Sequence, residues 1–143
     1  MTEKIPYPLN FTVDGQPMSK KRNWVPMCGR GRPRIILTKA YKDWEKGVVD
    51  QLWVQRVQYQ ASMVGPFEPI TEPVLVEFHF FMKGFREIDL SNLYQGPEDA
   101  LEAAGILHND KIIAGHDGSR RHPGVSNPHI TITITPFDGD VGK

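Results

Sequence analysis

The sequence contains a single cysteine, Cys28, and no apolar run long enough to form a membrane helix. One cysteine excludes an internal disulfide and a zinc site built from four thiolates. The most apolar stretch, Val74–Met82, is interrupted by Glu77 and His79 and falls far short of the roughly 20 residues that cross a bilayer. Residues Met1–Pro8 carry charges and prolines where a signal peptide has an apolar block. We therefore expect a soluble protein of a reducing cytoplasm, with no membrane partner.

The length and composition are those of one folded domain. The chain has 143 residues, of which 39% are hydrophobic and 24% charged, and it contains three tryptophans. This is enough for one packed core and too little for two ordinary domains. We expect a single domain over residues 1–143, with a basic mobile loop at 16–36 and a frayed tail at 138–143.

The hydrophobic pattern predicts a mixed α/β fold (α+β), in which about two helices pack on a small mixed sheet. The predicted helices are Thr38–Gln60, which Thr38 can cap, and a short one at Pro97–Ala104, with Gly96-Pro97 interrupting any helix that begins earlier. Val74–Met82 is apolar on both faces, which favours cover by helices or by a second chain. The predicted strands are Tyr7–Val13, Val74–Met82, Lys111–Ala114 and Ile130–Ile134.

The net charge is zero, but the charges are segregated along the chain. Clustering by chance is one interpretation. The other is a division between a basic loop that binds a polyanion and an acidic segment that binds a divalent cation. The basic residues between Met18 and Arg34 are Lys20, Lys21, Arg22, Arg30, Arg32 and Arg34, and the acidic residues between Glu87 and Asp110 are Glu87, Asp89, Glu98, Asp99, Glu102 and Asp110.

Two carboxylates of the acidic segment are candidate metal ligands. Asp89 lies at the end of a loop and Asp110 lies where the chain returns to a strand, so the fold can bring them together although 21 residues separate them. Converging oxygen ligands suit Mg²⁺. A structural interpretation stays open, because Asp89 or Ser91 can cap a helix, Asp99 can complement its dipole, and Asn109-Asp110 is a common turn pair.

The order of short motifs in this region adds a family resemblance. Asp-Leu-Ser-Asn-Leu at 89–93, Asp-Ala-Leu at 99–101, Gly-Ile at 105–106 and Asn-Asp-Lys-Ile-Ile at 109–113 together resemble the central block of RusA-like Holliday junction resolvases, which are common in phages and prophages. The resemblance covers roughly residues 7 to 136, and only the block from 89 to 113 is specific. It implies a mixed α/β homodimer that cuts four-way DNA junctions with magnesium and binds the phosphate backbone through basic side chains.

By this resemblance, Asp89 matches the family's first catalytic aspartate and Asp110 its last, while Asn92 and Asp99 match further site residues. Two positions depart from the pattern. Ser91 stands where the family usually has a second aspartate, and Gln95 stands where it usually has an essential lysine. Serine offers the cation a neutral oxygen in place of a charged one, and glutamine cannot neutralise phosphoryl charge as an ammonium does. Glu87 and Arg86 are candidate replacements for the missing charges.

The sequence therefore predicts a Mg²⁺-dependent endodeoxyribonuclease, with Mn²⁺ as an alternative ion, that hydrolyses branched DNA and needs no nucleotide cofactor. One alternative is a weakened or inactive protein of the same fold that binds junctions without cutting them. Another is a phage structural or regulatory protein with neither property. The predicted metal ligands are Asp89 and Asp110, the supporting site residues are Ser91, Asn92 and Asp99, and the predicted DNA-binding residues are Lys20, Lys21, Arg22, Arg30, Arg32 and Arg34.

The remaining reactive or aromatic residues favour no second site. The five histidines lack a paired metal spacing and are interpreted as surface or strand residues, with His79 in the sheet. Cys28 has no identifiable base, so it is not predicted to be a nucleophile. The aromatic stripe of Tyr41, Trp44 and Trp53 is interpreted as core or dimer interface.

Overall fold

The computed structural model describes residues 5–20, 23–27, 31, 34–85 and 88–137, and for Met27 and Arg34 only the backbone. Within these residues the fold is mixed α+β, as predicted: two helices pack on a five-stranded mixed sheet, beside a small two-stranded sheet. Neither described helix is long and apolar enough to cross a membrane. The elements are β1 (Leu9–Asp14), β2 (Trp24–Met27), β3 (Arg34–Leu37), α1 (Lys39–Ala61), β4 (Val74–Phe81), α2 (Leu90–Ala103), β5 (Ile113–Gly115), β6 (Arg120–His122) and β7 (His129–Pro136).

The main sheet has its long strands in the order β1-β7-β4, with β5 and β6 along the far edge of β4. β7 is antiparallel to both β1 and β4, whereas β5 and β6 are parallel to β4. Alternate side chains of the long strands are fully buried on one face, as the period-two pattern predicted. The core residues on this face include Phe11, Val76, Phe78, Phe80 and Ile132.

Helix α1 closes the free edge of β1 with polar side chains. Gln51, Gln55 and Tyr59 follow one another at intervals of four residues and therefore share one side of the helix. The Gln55 side chain accepts a hydrogen bond from the Thr12 amide at 2.9 Å and donates one to the Thr12 carbonyl at 2.7 Å. Gln51 and Tyr59 accept from the backbone amides of Asp14 and Asn10 in the same way. The edge strand thus has few open backbone groups with which another strand could pair.

The far edge of the sheet changes partner halfway along β4. β5 pairs with Val74 and Leu75, and β6 pairs with the segment from His79 to Phe81. Between them, the Ser119 hydroxyl accepts a hydrogen bond from the buried Phe78 amide at 2.9 Å. Ser119 is itself buried, so its side chain replaces the strand partner that is missing at this point.

Helix α2 differs from the prediction because it begins at Leu90 and runs through Gly96 and Pro97 without interruption. Proline in a helix interior costs a backbone hydrogen bond and roughly 3 kcal/mol. The buried side of α2 nevertheless continues across this point, since Leu93, Gly96, Pro97, Ala100 and Leu101 all face the core. Tertiary packing therefore outweighs the local helix-breaking signal.

The segment predicted as the loop 16–36 also contains regular structure. β2 and β3 form an antiparallel hairpin within it, in which Trp24 pairs with Leu37. The apolar runs of β2 and β3 are short and lie between glycines, prolines and arginines, so they show no alternation of apolar and polar residues. The sequence pattern therefore did not predict these two strands, and it did not predict β6 either. The prediction for α1 is confirmed to within one residue at each end, including its cap: the Thr38 hydroxyl accepts a hydrogen bond from the Tyr41 amide at 3.1 Å.

Candidate functional site

Three of the predicted site residues lie together at the beginning of α2. Asp89 occupies the N-cap position, its side chain is exposed, and it makes no capping hydrogen bond. Ser91 is exposed and Asn92 is half-buried in the first turn, where the Asn92 amide bonds to the Asp89 carbonyl at 3.0 Å. The structural alternative of a side-chain cap at Asp89 is therefore not realised, and its carboxylate is free to bind a ligand beside the positive end of the helix dipole.

Asp110 lies at the other end of the same strand–helix–strand unit. It opens a single turn of 3-10 helix and is half-buried, while the neighbouring Asn109 side chain accepts from the Lys111 amide at 2.8 Å. The strand that follows begins opposite Val74, the first residue of β4. Asp89, by contrast, lies eight residues after Phe81, the last residue of β4, and α2 runs between the two aspartates. Fourteen helical residues correspond to about 20 Å.

The chain order therefore places Asp89 and Asp110 at opposite ends of α2, and their sharing of one ion stays a prediction. The parallel register between β4 and β5 decides this placement, because a crossover helix joins opposite ends of two parallel strands. Among the residues that the structure describes, no group of three or more histidine, cysteine or carboxylate side chains is arranged to hold a metal ion.

Asp99 forms an ion pair with Lys20 of the predicted basic loop. Its carboxylate accepts a charge-assisted hydrogen bond from Lys20 Nζ at 2.9 Å, and the two side chains are 27% and 19% exposed. Asp99 lies ten residues after Asp89 on α2, or about 15 Å along the axis. The ion pair ties the loop that follows β1 to α2, so Lys20 of the basic segment contacts Asp99 of the acidic segment.

The loop at Gln16–Ser19, which leads into the basic segment, lies at the same end of the sheet as Ile88. Asp14 at the end of β1 is opposite His129, which is opposite Phe81 at the end of β4. A cavity of about 320 Å³ separates the loop at Gln16–Ser19 from Met82 and from Ile88, the residue before Asp89. Trp24 is the first residue of β2 in the adjoining two-stranded sheet, and its ring is exposed, so an unpaired base can stack on it.

Several predicted residues lie outside the described part of the chain, so their arrangement is open. These residues are Lys21, Arg22, Cys28, Arg30, Arg32, Arg86, Glu87 and the tail at 138–143, together with the side chain of Arg34. Of the predicted DNA-binding set, Lys20 is the residue whose side chain the structure describes.

Sequence reasoning missed a buried acid–base pair beside α2. Glu98 Oε1 lies 2.6 Å from His116 Nε2, and both side chains are mostly buried. The Tyr94 ring stacks on His116 with centroids 4.0 Å apart, and both rings pack against Phe78. Glu98 and His116 are 18 residues apart, and nothing in the local pattern joins them. Contact between Glu98 and His116 holds the chain that follows β5 against α2.

A second missed cluster lies on the sheet face opposite the helices. His79 Nδ1 is 2.8 Å from His122 Nε2, and His79 Nε2 is 2.7 Å from Glu77 Oε2. Partial burial lowers the pKa of His122 below its ordinary value, and the charges of His79, Arg120 and His129 lower it further. His79 lies in the sheet, as predicted, and His122 and His129 also lie in strands, but the contact between His79 and His122 was not predicted.

No protein-family model matches this sequence, and no curated protein resembles it closely enough to count as a relative. The RusA resemblance therefore stands on the motif block itself. In the structure, that block forms α2 and the chain that returns to β5, and the exposed Asp89 carboxylate lies at its start. Asp89 is placed where it can bind a hydrated cation at this end of α2, and Asp110 follows the other end.

Proposed function

We propose that this protein acts on branched DNA as a RusA-like, metal-dependent endodeoxyribonuclease of the bacterial or phage-infected cytoplasm. The observation that supports this most is the position of Asp89, Ser91 and Asn92 at the beginning of α2, next to Ile88, which lines a cavity with the Gln16–Ser19 loop that leads into the basic segment. A basic loop that grips phosphates next to a carboxylate that binds a cation is the arrangement phosphodiester hydrolysis requires.

The site is completed, in this proposal, by a second copy of the chain. Because Asp89 and Asp110 lie at opposite ends of α2, a shared ion needs Asp89 from one protomer and Asp110 from its partner. Mg²⁺ bound there would polarise the scissile phosphodiester and lower the pKa of a bound water. The protein's own contribution is to hold two carboxylates as ligands and to place Lys20 and its neighbours against the flanking phosphates.

An exposed apolar stripe on α1 supports the proposed dimer. Trp53, Val54 and Val57 are each about half exposed, at 50%, 54% and 47%, and Val64 beyond the helix end is 83% exposed. Adjacent exposed apolar side chains of this size commonly mark an interface. A two-fold axis beside this stripe would produce two equivalent composite sites.

A mixing experiment tests the composite site directly. Asp89→Asn and Asp110→Asn proteins should each fail to cut a synthetic four-way junction while still binding it. If the site spans two chains, a mixed dimer of the two variants contains one intact site, and co-refolded protein should regain up to about a quarter of wild-type cutting. If the mixture cuts no faster than either variant alone, the aspartates do not meet across a dimer.

The second candidate function is junction binding without cleavage. The separation of Asp89 from Asp110 favours it, as do the neutral residues Ser91 and Gln95 at positions where the family carries charges. A junction that is shifted but remains uncut in Mg²⁺ and in Mn²⁺ would establish this alternative. Restoring both charges with Ser91→Asp and Gln95→Lys should then produce cutting if their loss is the cause.

A further inference from the structure

The histidine cluster lies on a part of the molecule that the proposed nuclease function does not use. Glu77, His79 and Phe81 alternate along β4 with the buried residues Phe78 and Phe80, so they face away from the helices and the core. His122 ends the neighbouring strand β6 and is paired with Phe81. All four side chains of the cluster are therefore on the open face of the sheet.

The cluster holds its rings in fixed positions. The His122 ring is stacked flat on Phe81, with centroids 4.4 Å apart and planes 11° from parallel. Glu77 is confined by the turn between β5 and β6, because Gly118 has a φ of +88° and a Cβ at this position would collide with the Glu77 carboxylate. Packing therefore restrains both His122 and Glu77, in addition to their hydrogen bonds with His79.

The hydrogen bonds determine which nitrogen of His79 carries its proton. A carboxylate can only accept, so Glu77 accepts from His79 Nε2–H at 2.7 Å. In the neutral ring this leaves a lone pair on Nδ1, which points at His122 Nε2 only 2.8 Å away. One proton is therefore shared between two ring nitrogens that converge from neighbouring strands.

We propose that His79 Nδ1 and His122 Nε2 form a binding site for Zn²⁺ or a similar transition-metal ion, which takes the place of the shared proton while that proton moves to His122 Nδ1. Zn–N bonds of about 2.0–2.1 Å at a tetrahedral angle place two ligand nitrogens about 3.4 Å apart. The two nitrogens must therefore separate by about 0.6 Å, and the rings must turn so that both lone pairs point at the ion. Two imidazoles favour Zn²⁺, Ni²⁺ or Cu²⁺ over Mg²⁺, so this site is chemically distinct from the proposed nuclease site.

Glu77 acts in this site as the partner of a ligand. A carboxylate that accepts from the far nitrogen of a metal-bound histidine fixes its tautomer and raises its basicity, and its loss typically weakens binding ten- to a hundredfold. Water would fill the remaining positions, since the Glu77 and His79 side chains are 42% and 25% exposed. The bound ion would clip the three-residue strand β6 to the end of β4.

The test is a titration of metal-free protein with ZnCl₂ by isothermal calorimetry. We expect one ion per chain, seen as the stoichiometry of the titration. His79→Gln and His122→Gln should each weaken binding at least tenfold, and Glu77→Gln should weaken it ten- to a hundredfold. His108→Gln removes an exposed histidine remote from the cluster and serves as the matched control.

The proposal is overturned if the wild type binds no Zn²⁺, or if His79→Gln and His122→Gln bind as tightly as His108→Gln. Circular dichroism in EDTA identifies any variant that fails to fold. For such a variant, the Co²⁺ absorption of Glu77→Gln decides the question, because a tetrahedral Co²⁺ band weakened by that change requires an imidazole site next to Glu77. Asp110→Asn should bind Zn²⁺ normally whether or not the protein cuts DNA.

Discussion

The two glycines inside the helices provide a prediction in which the same substitution has opposite effects. Gly96 lies where α2 crosses α1, and a Cβ built on it would lie 2.9 Å from both Trp44 Cζ3 and the Tyr41 hydroxyl. Gly47 lies within α1, and a Cβ built on it meets no atom within 4 Å. Replacing glycine by alanine in a helix interior stabilises by up to about 1 kcal/mol when there is room.

Gly47→Ala should therefore stabilise the fold by up to about 1 kcal/mol. Gly96→Ala gains the same helix propensity but forces the half-buried Trp44 ring and the buried Tyr41 ring apart, and overpacking of this kind costs about 1–3 kcal/mol. The net destabilisation should be up to about 2 kcal/mol. With roughly 4 °C per kcal/mol for a chain of this size, the two melting temperatures should differ by about 4–12 °C.

Thermal melting followed by circular dichroism, with urea unfolding as a second measurement, compares the two variants directly. Only a Gly96→Ala protein that melts below the wild type agrees with the helix crossing described here. If Gly96→Ala were as stable as Gly47→Ala, the helices could not approach each other closely at this residue, and the packing of α2 on α1 would have to be different.

Three further predictions concern single contacts. Ser119→Ala removes the acceptor of the buried Phe78 amide, so it should cost about 1–3 kcal/mol in urea unfolding, and an unchanged midpoint would show that the amide has another acceptor. Asp99→Asn releases Lys20, so it should tighten junction binding at low salt and increase the slope of log Kd against log salt by roughly one. A variant that binds the junction normally but cannot cut it would instead show that Asp99 is catalytic. Gln55→Ala leaves the Thr12 amide and carbonyl without their side-chain partner at an exposed edge where water can bind, so it should lower the free energy of unfolding by less than about 1 kcal/mol. The open edge should also promote association of the protein at high concentration, which light scattering measures.

Local patterns predicted the long elements well, because burial on one face leaves a periodic trace in the sequence. α1 carries its cap, and β4 and β7 alternate over eight residues each. The beginning of α2 was missed because Gly96 and Pro97 are the strongest local helix-breaking signals in that segment, yet both lie on the buried side of the helix. Local propensity cannot reveal that a neighbouring helix needs a glycine at that crossing.

The candidate site shows a different limit of sequence reasoning. The pattern identified Asp89 and Asp110 as unusual carboxylates, but the distance between them depends on β5 pairing in parallel with β4, which is a long-range property. The same limit applies to His79 and His122, which are 43 residues apart and meet only because β6 continues the edge that β5 begins. Residue types and order suggested a chemistry, and strand pairing determined which groups are neighbours.

The nuclease proposal is tested most directly by incubating the wild-type protein at low salt with a synthetic four-way junction labelled on each strand in turn. The account predicts paired nicks on opposite strands that appear with Mg²⁺ or Mn²⁺, disappear in EDTA and are lost in Asp110→Asn. A protein that binds the junction but leaves all four strands intact in both metals would contradict the cleavage proposal. A protein that does not bind the junction even at low salt would contradict the assignment to branched DNA as well.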